Sequence, residues 1–132
     1  MIALDLNIQS LKESYEGNKK VRIIECNVTK EEEIKKVAEI LKNEKISLFA
    51  IFNNAGIASC GDWRSSVELE MEENVLPIFN VNFFGVLRCV KHFYPFLSQG
   101  GRIINTSSFA GLLSGPLSSM CKKIKKSIFF SI

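Results

Sequence analysis

The chain has 132 residues, of which 46% are apolar and 23% are charged, and its net charge is +3. This length suits one domain with one core, and the composition is ordinary for a soluble globular protein. The positive excess is too small to indicate a nucleic-acid-binding protein, and much of it comes from the lysines at positions 122, 123, 125 and 126. No uninterrupted apolar run reaches the length of a transmembrane helix, so we expect no membrane segment in this chain.

The cysteines and the single histidine give no sign of a metal site. Cys26, Cys60, Cys89 and Cys121 form neither a C-x-x-C pair nor any other metal-ligand spacing. Isolated thiols of this kind predict an intracellular, reducing compartment, with cytoplasmic, endoplasmic reticulum and mitochondrial association left open. His92 lacks the partners that a metal centre or a catalytic triad would need, and we expect it on a helix surface.

The first elements alternate between strand and helix. Met1–Leu4 is a short apolar run that predicts a strand ending in Asp5, and Ile8–Tyr15 predicts a helix. Val21–Glu25 is rich in β-branched and apolar residues, which favours a second strand.

A longer amphipathic helix is predicted next. Thr29 to Glu32 has the form of a capping box, in which the Thr hydroxyl and the Glu carboxylate bond reciprocally to the backbone. Behind it, apolar residues recur at helical spacing and form one stripe, at Ile34, Val37, Ala38 and Leu41. This stripe must pack against another element.

The second half of the chain repeats the alternation. Ile46–Phe52 is almost wholly apolar, which is typical of a central parallel strand buried on both faces. It stops at Asn53–Gly56. Pro77 suits the first turn of a long helix over residues 77–97, because its missing N–H is not needed there. Arg102–Thr106 predicts a further strand, preceded by two glycines.

This order predicts an α/β fold with a parallel sheet and helices on both faces. In such sheets the ligand crevice lies at the carboxyl ends of the strands. The residues that follow the predicted strands should therefore converge at one edge, namely Asp5, Cys26-Asn27, Asn53–Gly56 and Ser107-Ser108.

Four segments, three of them at this edge and one on the predicted helix over residues 77–97, resemble motifs of the short-chain dehydrogenase/reductase family. Asn53-Asn54-Ala55-Gly56 looks like its N-N-A-G motif, and Asn82-Phe83-Phe84-Gly85 resembles its N-x-x-G. Ser107-Ser108-Phe109-Ala110-Gly111 is similar to its S-S-x-x-G, and Cys26-Asn27-Val28-Thr29 is similar to its D-V-T segment. The motifs occur in the family's order and at its intervals. The stretches Leu48–Gly56 and Gly101–Ser108 look most like the retinol, 17β-hydroxysteroid and 3-hydroxybutyrate dehydrogenase branch.

The resemblance implies a partial Rossmann-type doubly wound parallel sheet over residues 1–117, followed by a divergent, lysine-rich tail over residues 118–132. The family's first strand with its T-G-x-x-x-G-x-G loop finds no counterpart here, and neither do its C-terminal strands. Family members transfer a hydride between NAD(P) and a secondary alcohol or retinol-like substrate and its carbonyl form.

The resemblance also implies the residues of a cofactor site. Asp5 matches the acidic residue that favours NAD over NADP, because a carboxylate accepts from the ribose hydroxyls and repels a 2′-phosphate. Asn27 stands where the family usually has Asp, and its carbonyl would accept from the adenine amino group while Val28 flanks the base. The cofactor would further be lined by Asn54, Ala55 and Gly56.

On the catalytic side, Ser108 matches the serine that hydrogen-bonds the oxygen of the substrate. Asn82 matches the structural and proton-relay asparagine, the alternative being an Asn satisfied within its own helix. The family's Tyr-x-x-x-Lys pair is not matched, since Met120 and Cys121 stand in its window. The alternative function is therefore a catalytically inactive fragment or pseudoenzyme that acts as an interaction module, with a homo-oligomer formed through the helix near residues 77–97.

Overall fold

The computed structural model describes residues 1–57 and 72–107, in which strands and helices alternate. The strands are β1 (Ile2–Asp5), β2 (Arg22–Glu25), β3 (Leu48–Asn53) and β4 (Leu97–Asn105). The helices are α1 (Ile8–Ser14), α2 (Glu31–Asn43), α3 (Glu72–Phe79) and α4 (Val86–Phe93). A π-helical turn (Asn80–Gly85) joins α3 to α4, and a 3₁₀ turn (Tyr94–Phe96) leads into β4. Ser108 and the predicted tail over residues 118–132 lie outside the described residues.

The strands form two parallel pairs. β1 pairs with β2, with Asp5 opposite Glu25, and β3 pairs with β4, with Asn53 opposite Asn105. A helical connection returns the chain between the two strands of each pair, as parallel pairing requires. The predicted α/β class with parallel strands is thus confirmed, although the strands of the described residues form two separate two-stranded sheets.

One hydrophobic core connects the two strand pairs. The predicted stripe of α2 is confirmed, because Ile34, Val37 and Leu41 are buried. These side chains cluster with buried residues of the second half and of the end of β2, namely Cys26, Ile51, Cys89 and Phe93. Since burial of a Leu or Ile side chain contributes about 1.5–3 kcal/mol, this cluster stabilises the contact between the two strand pairs.

The two cysteines of the described residues behave as apolar core residues. Cys26 and Cys89 are both buried as free thiols. Burial raises the pKa of Cys26 to about 11 and that of Cys89 to about 12, so both stay protonated at neutral pH. A protonated thiol is a poor nucleophile and a poor metal ligand, so these residues serve packing.

The predicted capping box is wrong. The N-cap of α2 is Lys30, and no side chain caps it. The Thr29 hydroxyl instead donates to Asn27 Oδ1 at 2.7 Å, and Glu33 rather than Glu32 reaches back, with Oε2 accepting from the Asn27 N–H at 2.8 Å. The cause is local competition, because an Asn side chain that forms a turn captures the nearby donors before the helix can use them.

The prediction that β3 is buried on both faces is also wrong. Ile51 belongs to the core, whereas Phe49 and Phe52 are 71% and 69% exposed. Neighbouring side chains of a strand point to opposite faces, so Phe52 lies on the face opposite Ile51, which the described elements leave uncovered. Phe49 lies on the Ile51 side, at the register shift of β3 between Leu48 and Ala50.

The single helix predicted over residues 77–97 differs from the observed segment. α3 begins at Glu72, so Pro77 lies inside this helix rather than in its first turn. The π-helical turn then interrupts the α-helical geometry, and β4 begins at Leu97. Apolar periodicity could not reveal this, because an apolar residue at every third or fourth position suits an α-helix with or without one wider turn. Among the described residues, no helix is both long and apolar enough to span a membrane.

An ion cluster ties the start of α2 to the end of α4. Glu31 Oε1 lies 2.8 Å from Lys91 Nζ and 2.8 Å from His92 Nε2. Two hydrogen bonds, the one to Lys91 contributing most and the one to His92 next, lower the pKa of the Glu31 carboxyl to about 2. The only histidine of the chain lies on α4 with 16% of its side chain exposed, so it is more covered than the predicted helix-surface position.

This cluster predicts a loss of stability in acid. A depressed carboxyl pKa stabilises the fold above the unfolded-state value of 4.5, and the contribution disappears as pH falls towards 2. We expect Glu31→Gln to lower the melting temperature by a few degrees at neutral pH and by progressively less below pH about 4.5. Thermal melting followed by circular dichroism measures this, with Glu39→Gln on the exposed side of α2 as the charge-matched control. A deficit of Glu31→Gln that stays constant with pH would contradict the assignment.

Candidate functional site

Asparagine and threonine side chains connect the carboxyl ends of β3 and β4. Asn53 Nδ2 donates to Asn105 Oδ1 at 2.8 Å, and the Thr106 N–H donates to the Asn53 carbonyl at 3.0 Å. One residue further on, Thr106 Oγ1 donates to Asn54 Oδ1 at 2.9 Å. The side chains thereby fix the point at which the chain leaves β3, and they leave Asn54–Gly56 exposed at the edge.

Asn82 holds the loop that follows β3. Its side chain is only 2% exposed, and both ends of its amide bond to the backbone of Ile57. Asn82 Nδ2 donates to the Ile57 carbonyl at 2.8 Å, and Asn82 Oδ1 accepts from the Ile57 N–H at 2.8 Å. The side chain thus bonds outside its own helical segment, and it connects the π-helical turn to the Asn54–Ile57 loop.

The loop after β2 is shaped by Asn27. Its Oδ1 accepts from the Thr29 N–H at 2.9 Å and from the Thr29 hydroxyl at 2.7 Å. The backbone donor fixes the orientation of the amide, and the two bonds use both lone pairs of the oxygen. The Asn27 N–H in turn donates to Glu33, and this bond, with help from Lys30, lowers the pKa of the Glu33 carboxyl. An adenine amino group would therefore have to displace one Thr29 donor to reach Asn27 Oδ1.

Two contacts connect this loop to the π-helical turn. Val28 packs against Gly85 so closely that a Cβ added at Gly85 would lie 2.9 Å from Val28 Cγ2. Arg88 Nη1 donates to the Val28 carbonyl at 3.4 Å and to the Asn80 carbonyl at 3.2 Å. Sequence reasoning did not single out Arg88, and the only signal was a charged side chain in a mostly apolar helix.

Asp5 lies at the end of β1, beside the loop after β2. Its Oδ1 accepts from the Asn7 N–H at 2.8 Å, and its carbonyl accepts from the Cys26 N–H at 2.9 Å. Asp5 is exposed, so its carboxylate is accessible at the edge where Asn27 and Val28 follow β2.

The structure thus brings the predicted cofactor residues together in two groups. Asp5, Asn27 and Val28 follow the β1–β2 pair, and Asn54–Gly56 follow β3. The π-helical turn contacts both loops, through Gly85 on one side and Asn82 on the other. Ser108 lies outside the described residues. Within residues 1–57 and 72–107, no group of three or more His, Cys, Asp or Glu side chains could hold a metal ion.

The two hydrogen bonds of the Asn82 side chain predict that the chain loses stability when this side chain is removed. Asn82→Ala leaves the Ile57 N–H and carbonyl without their partner, and we expect a loss of about 1–3 kcal/mol in the free energy of unfolding. Denaturant titration measures the loss. Asn80→Ala, in the same turn, is the control, since the carbonyl that Arg88 uses belongs to the backbone. Equal stabilities of Asn82→Ala and the unsubstituted chain would show that the bonds to Ile57 contribute nothing.

Comparisons of sequence with known proteins identify the family. The family model described as short chain dehydrogenase matches residues 3–121. The chain is 33% identical over 100 residues to the mitochondrial D-beta-hydroxybutyrate dehydrogenase of Bos taurus, which covers 72% of this chain and 28% of that protein. It is 33% identical over 99 residues to a 3-ketodihydrosphingosine reductase of Bacteroides thetaiotaomicron, covering 74% and 35% respectively. Human 17-beta-hydroxysteroid dehydrogenase type 2 is 32% identical over 97 residues, covering 70% of this chain and 24% of that protein. The chain therefore spans only about a quarter to a third of the length of these curated relatives.

Solved structures agree on the fold. A short-chain dehydrogenase/reductase from Burkholderia phymatum, in complex with NAD, has a TM-score of 0.82 at 23% identity, over 96% of this chain and 46% of that one. An aldohexose dehydrogenase from Thermoplasma acidophilum has a TM-score of 0.79 at 26% identity, again over 96% and 46%. The partial Rossmann-type fold that the resemblance implied is therefore confirmed. With most of its length matched by the family model, the chain belongs to the short-chain dehydrogenase family.

Proposed function

We propose that this chain supplies cofactor-side loops and substrate-side residues to an oxidoreductase that interconverts a secondary or retinol-like alcohol and its carbonyl. The observation that carries the proposal is the fixed π-helical turn, which contacts the loops after both β2 and β3 through Gly85 and Asn82. A ligand that spans the carboxyl edge meets both loops. The named relatives, which include hydroxybutyrate and hydroxysteroid dehydrogenases, support this reaction class.

The exposed groups at this edge fit a nicotinamide dinucleotide. The Asp5 carboxylate would accept from the ribose hydroxyls, which favours NAD over NADP because a 2′-phosphate would meet a negative charge. The exposed backbone of Asn54–Gly56 would contact the cofactor, with Val28 beside the adenine. In this proposal Asn27 keeps the loop in shape, since its oxygen is engaged by Thr29. A bound nicotinamide would accept or supply the hydride.

Two further residues would act on the substrate side. Ser108 would donate a hydrogen bond to the substrate oxygen and polarise the carbonyl, which is electrostatic rather than nucleophilic assistance. Asn82 would keep the Ile57 loop in place. A proton relay through its amide would require one of the two Ile57 bonds to exchange for a water molecule.

The direct test is binding of NADH to the purified chain of 132 residues, by calorimetry with circular dichroism of the same sample. We expect a folded protein and a dissociation constant on the order of 0.1–1 mM, equivalent to about −4 to −5.5 kcal/mol, because the contacts proposed for the cofactor are limited to Asp5, Val28 and Asn54–Gly56. NADPH should bind about tenfold more weakly than NADH if Asp5 selects against the 2′-phosphate. A folded chain with no affinity for NADH would contradict the proposal.

A variant pair tests the selection. Asp5→Ser removes the charge but keeps an oxygen that can accept from the Asn7 N–H, and it should abolish the preference for NADH. Glu25→Ser removes the same charge from the position paired with Asp5, and it should leave the preference unchanged.

A second candidate function, that of an interaction module, has its own supporting observation. The helical segment from α3 to the 3₁₀ turn carries exposed large apolar side chains at Leu76, Phe84, Leu87 and Tyr94. Contiguous exposed apolar surface marks interaction sites, and these four side chains lie within one helical segment. We propose that this surface forms a homo-oligomer through the helix near residues 77–97, in an intracellular, reducing compartment.

The oligomer predicts a specific loss of association. Leu87 is 51% exposed, so Leu87→Asp should leave the fold intact while it removes an apolar contact and places a charge in the interface. Light scattering after size exclusion should show a smaller species than the unsubstituted chain. Leu6→Asp is the control, since Leu6 is 64% exposed and lies outside the helical segment. Equal masses for Leu87→Asp and the unsubstituted chain would rule out this interface.

A further inference from the structure

Arg88 is partly covered and contacts two backbone carbonyls, unlike an arginine that points into solvent. It is partly buried on α4, and its guanidinium lies 5.8 Å from the centre of the Phe84 ring. Nη1 faces two carbonyl groups from distant parts of the chain, Val28 at 3.4 Å and Asn80 at 3.2 Å. A terminal guanidinium nitrogen carries two hydrogens, so one can be directed at each carbonyl.

The two carbonyls belong to two different segments of the candidate site. Val28 is in the loop after β2, and Asn80 begins the π-helical turn that contains Asn82. A second contact joins the same segments, because Val28 Cγ2 fills the space that only a glycine at position 85 leaves open. Arg88 thus supplies the polar part of this junction and the Val28–Gly85 contact supplies the apolar part.

We propose that Arg88 is a positioning residue, which sets the loop after β2 against the π-helical turn. It thereby holds in place the loop on the adenosine side of the proposed cofactor site. The ligand part of this inference rests on the proposed function. The structural part does not, because it concerns contacts within the free chain. Arginine suits the role since its planar guanidinium holds the two hydrogens of Nη1 in fixed directions, whereas a lysine ammonium on a flexible stem holds its donors less firmly.

Hydrogen exchange of individual amides, followed by NMR on the whole chain, tests the structural part. The Asn27 and Thr29 N–H groups hold the loop through their bonds to Glu33 and Asn27. In Arg88→Met these two amides should exchange about tenfold faster, the effect expected for loss of hydrogen bonds to a charged group. Amides in the middle of α2, such as that of Val37, should change less than about twofold, since a local loosening leaves the rest of the fold protected.

Two further variants make this result decisive. Arg102→Met removes the same guanidinium charge from an exposed position of β4, away from the loop, and it should leave Asn27 and Thr29 unchanged. Arg88→Lys should give exchange rates between those of the unsubstituted chain and Arg88→Met, and it decides the question alone if Arg88→Met fails to fold. Unchanged exchange at Asn27 and Thr29 in a folded Arg88 variant overturns the proposal, and so does an equal acceleration at Val37, which would mean global destabilisation.

Calorimetry with ADP-ribose and with nicotinamide mononucleotide tests the ligand part. Arg88→Met should weaken binding of ADP-ribose about tenfold, while its binding of the mononucleotide and the affinities of Arg102→Met for both ligands stay within about twofold of the unsubstituted chain. Equal losses of affinity for the two ligands would overturn the assignment of Arg88 to the adenosine side. If the unsubstituted chain binds neither ligand, the proposed function fails, whereas the exchange rates still decide the role of Arg88.

Discussion

The arrangement of the candidate site depends on the amide of Asn82 within the π-helical turn. Its donor and its acceptor meet the carbonyl and the N–H of one residue, Ile57, and the side chain is almost wholly buried. A buried amide bonded at both ends cannot rotate without losing two hydrogen bonds, so the turn and the Asn54–Ile57 loop form one unit. The same turn presents Gly85 and the Asn80 carbonyl to the loop after β2.

The hydrophobic core positions the loop after β2 next to the π-helical turn. The apolar stripe of α2 packs against Ile51 of β3 and against Cys89 and Phe93 of α4, and the loop after β2 leads directly into α2. The polar contacts at the edge are individually modest, so they are effective only because packing has already brought the loops together. The Glu31 cluster adds a pH-sensitive link between the same two helices.

Element types were predictable, and several of their details were not. The strands at Ile2–Asp5 and Arg22–Glu25 and the stripe of α2 follow from apolar patterns that local sequence encodes directly. The cap of α2 was misjudged because Thr29 had a nearer acceptor in Asn27, and such competition depends on distances that spacing does not reveal. The exposure of Phe49 and Phe52 was misjudged because burial depends on what covers a strand, not on the strand itself.

The sequence by itself determined the family, since four motifs occur in the family's order, and three of them follow predicted strands and so mark the ligand edge. It also determined candidate residues of the site, among them Asp5, Asn54 and Asn82. Only the tertiary structure decided how these residues are used. It showed that Asn27 Oδ1 accepts from Thr29, that Asn82 bonds to the backbone of Ile57, and that Arg88 connects the loop after β2 to the π-helical turn. These are contacts between residues far apart in the chain or between groups whose orientation matters, and no local pattern of apolar and polar residues specifies them.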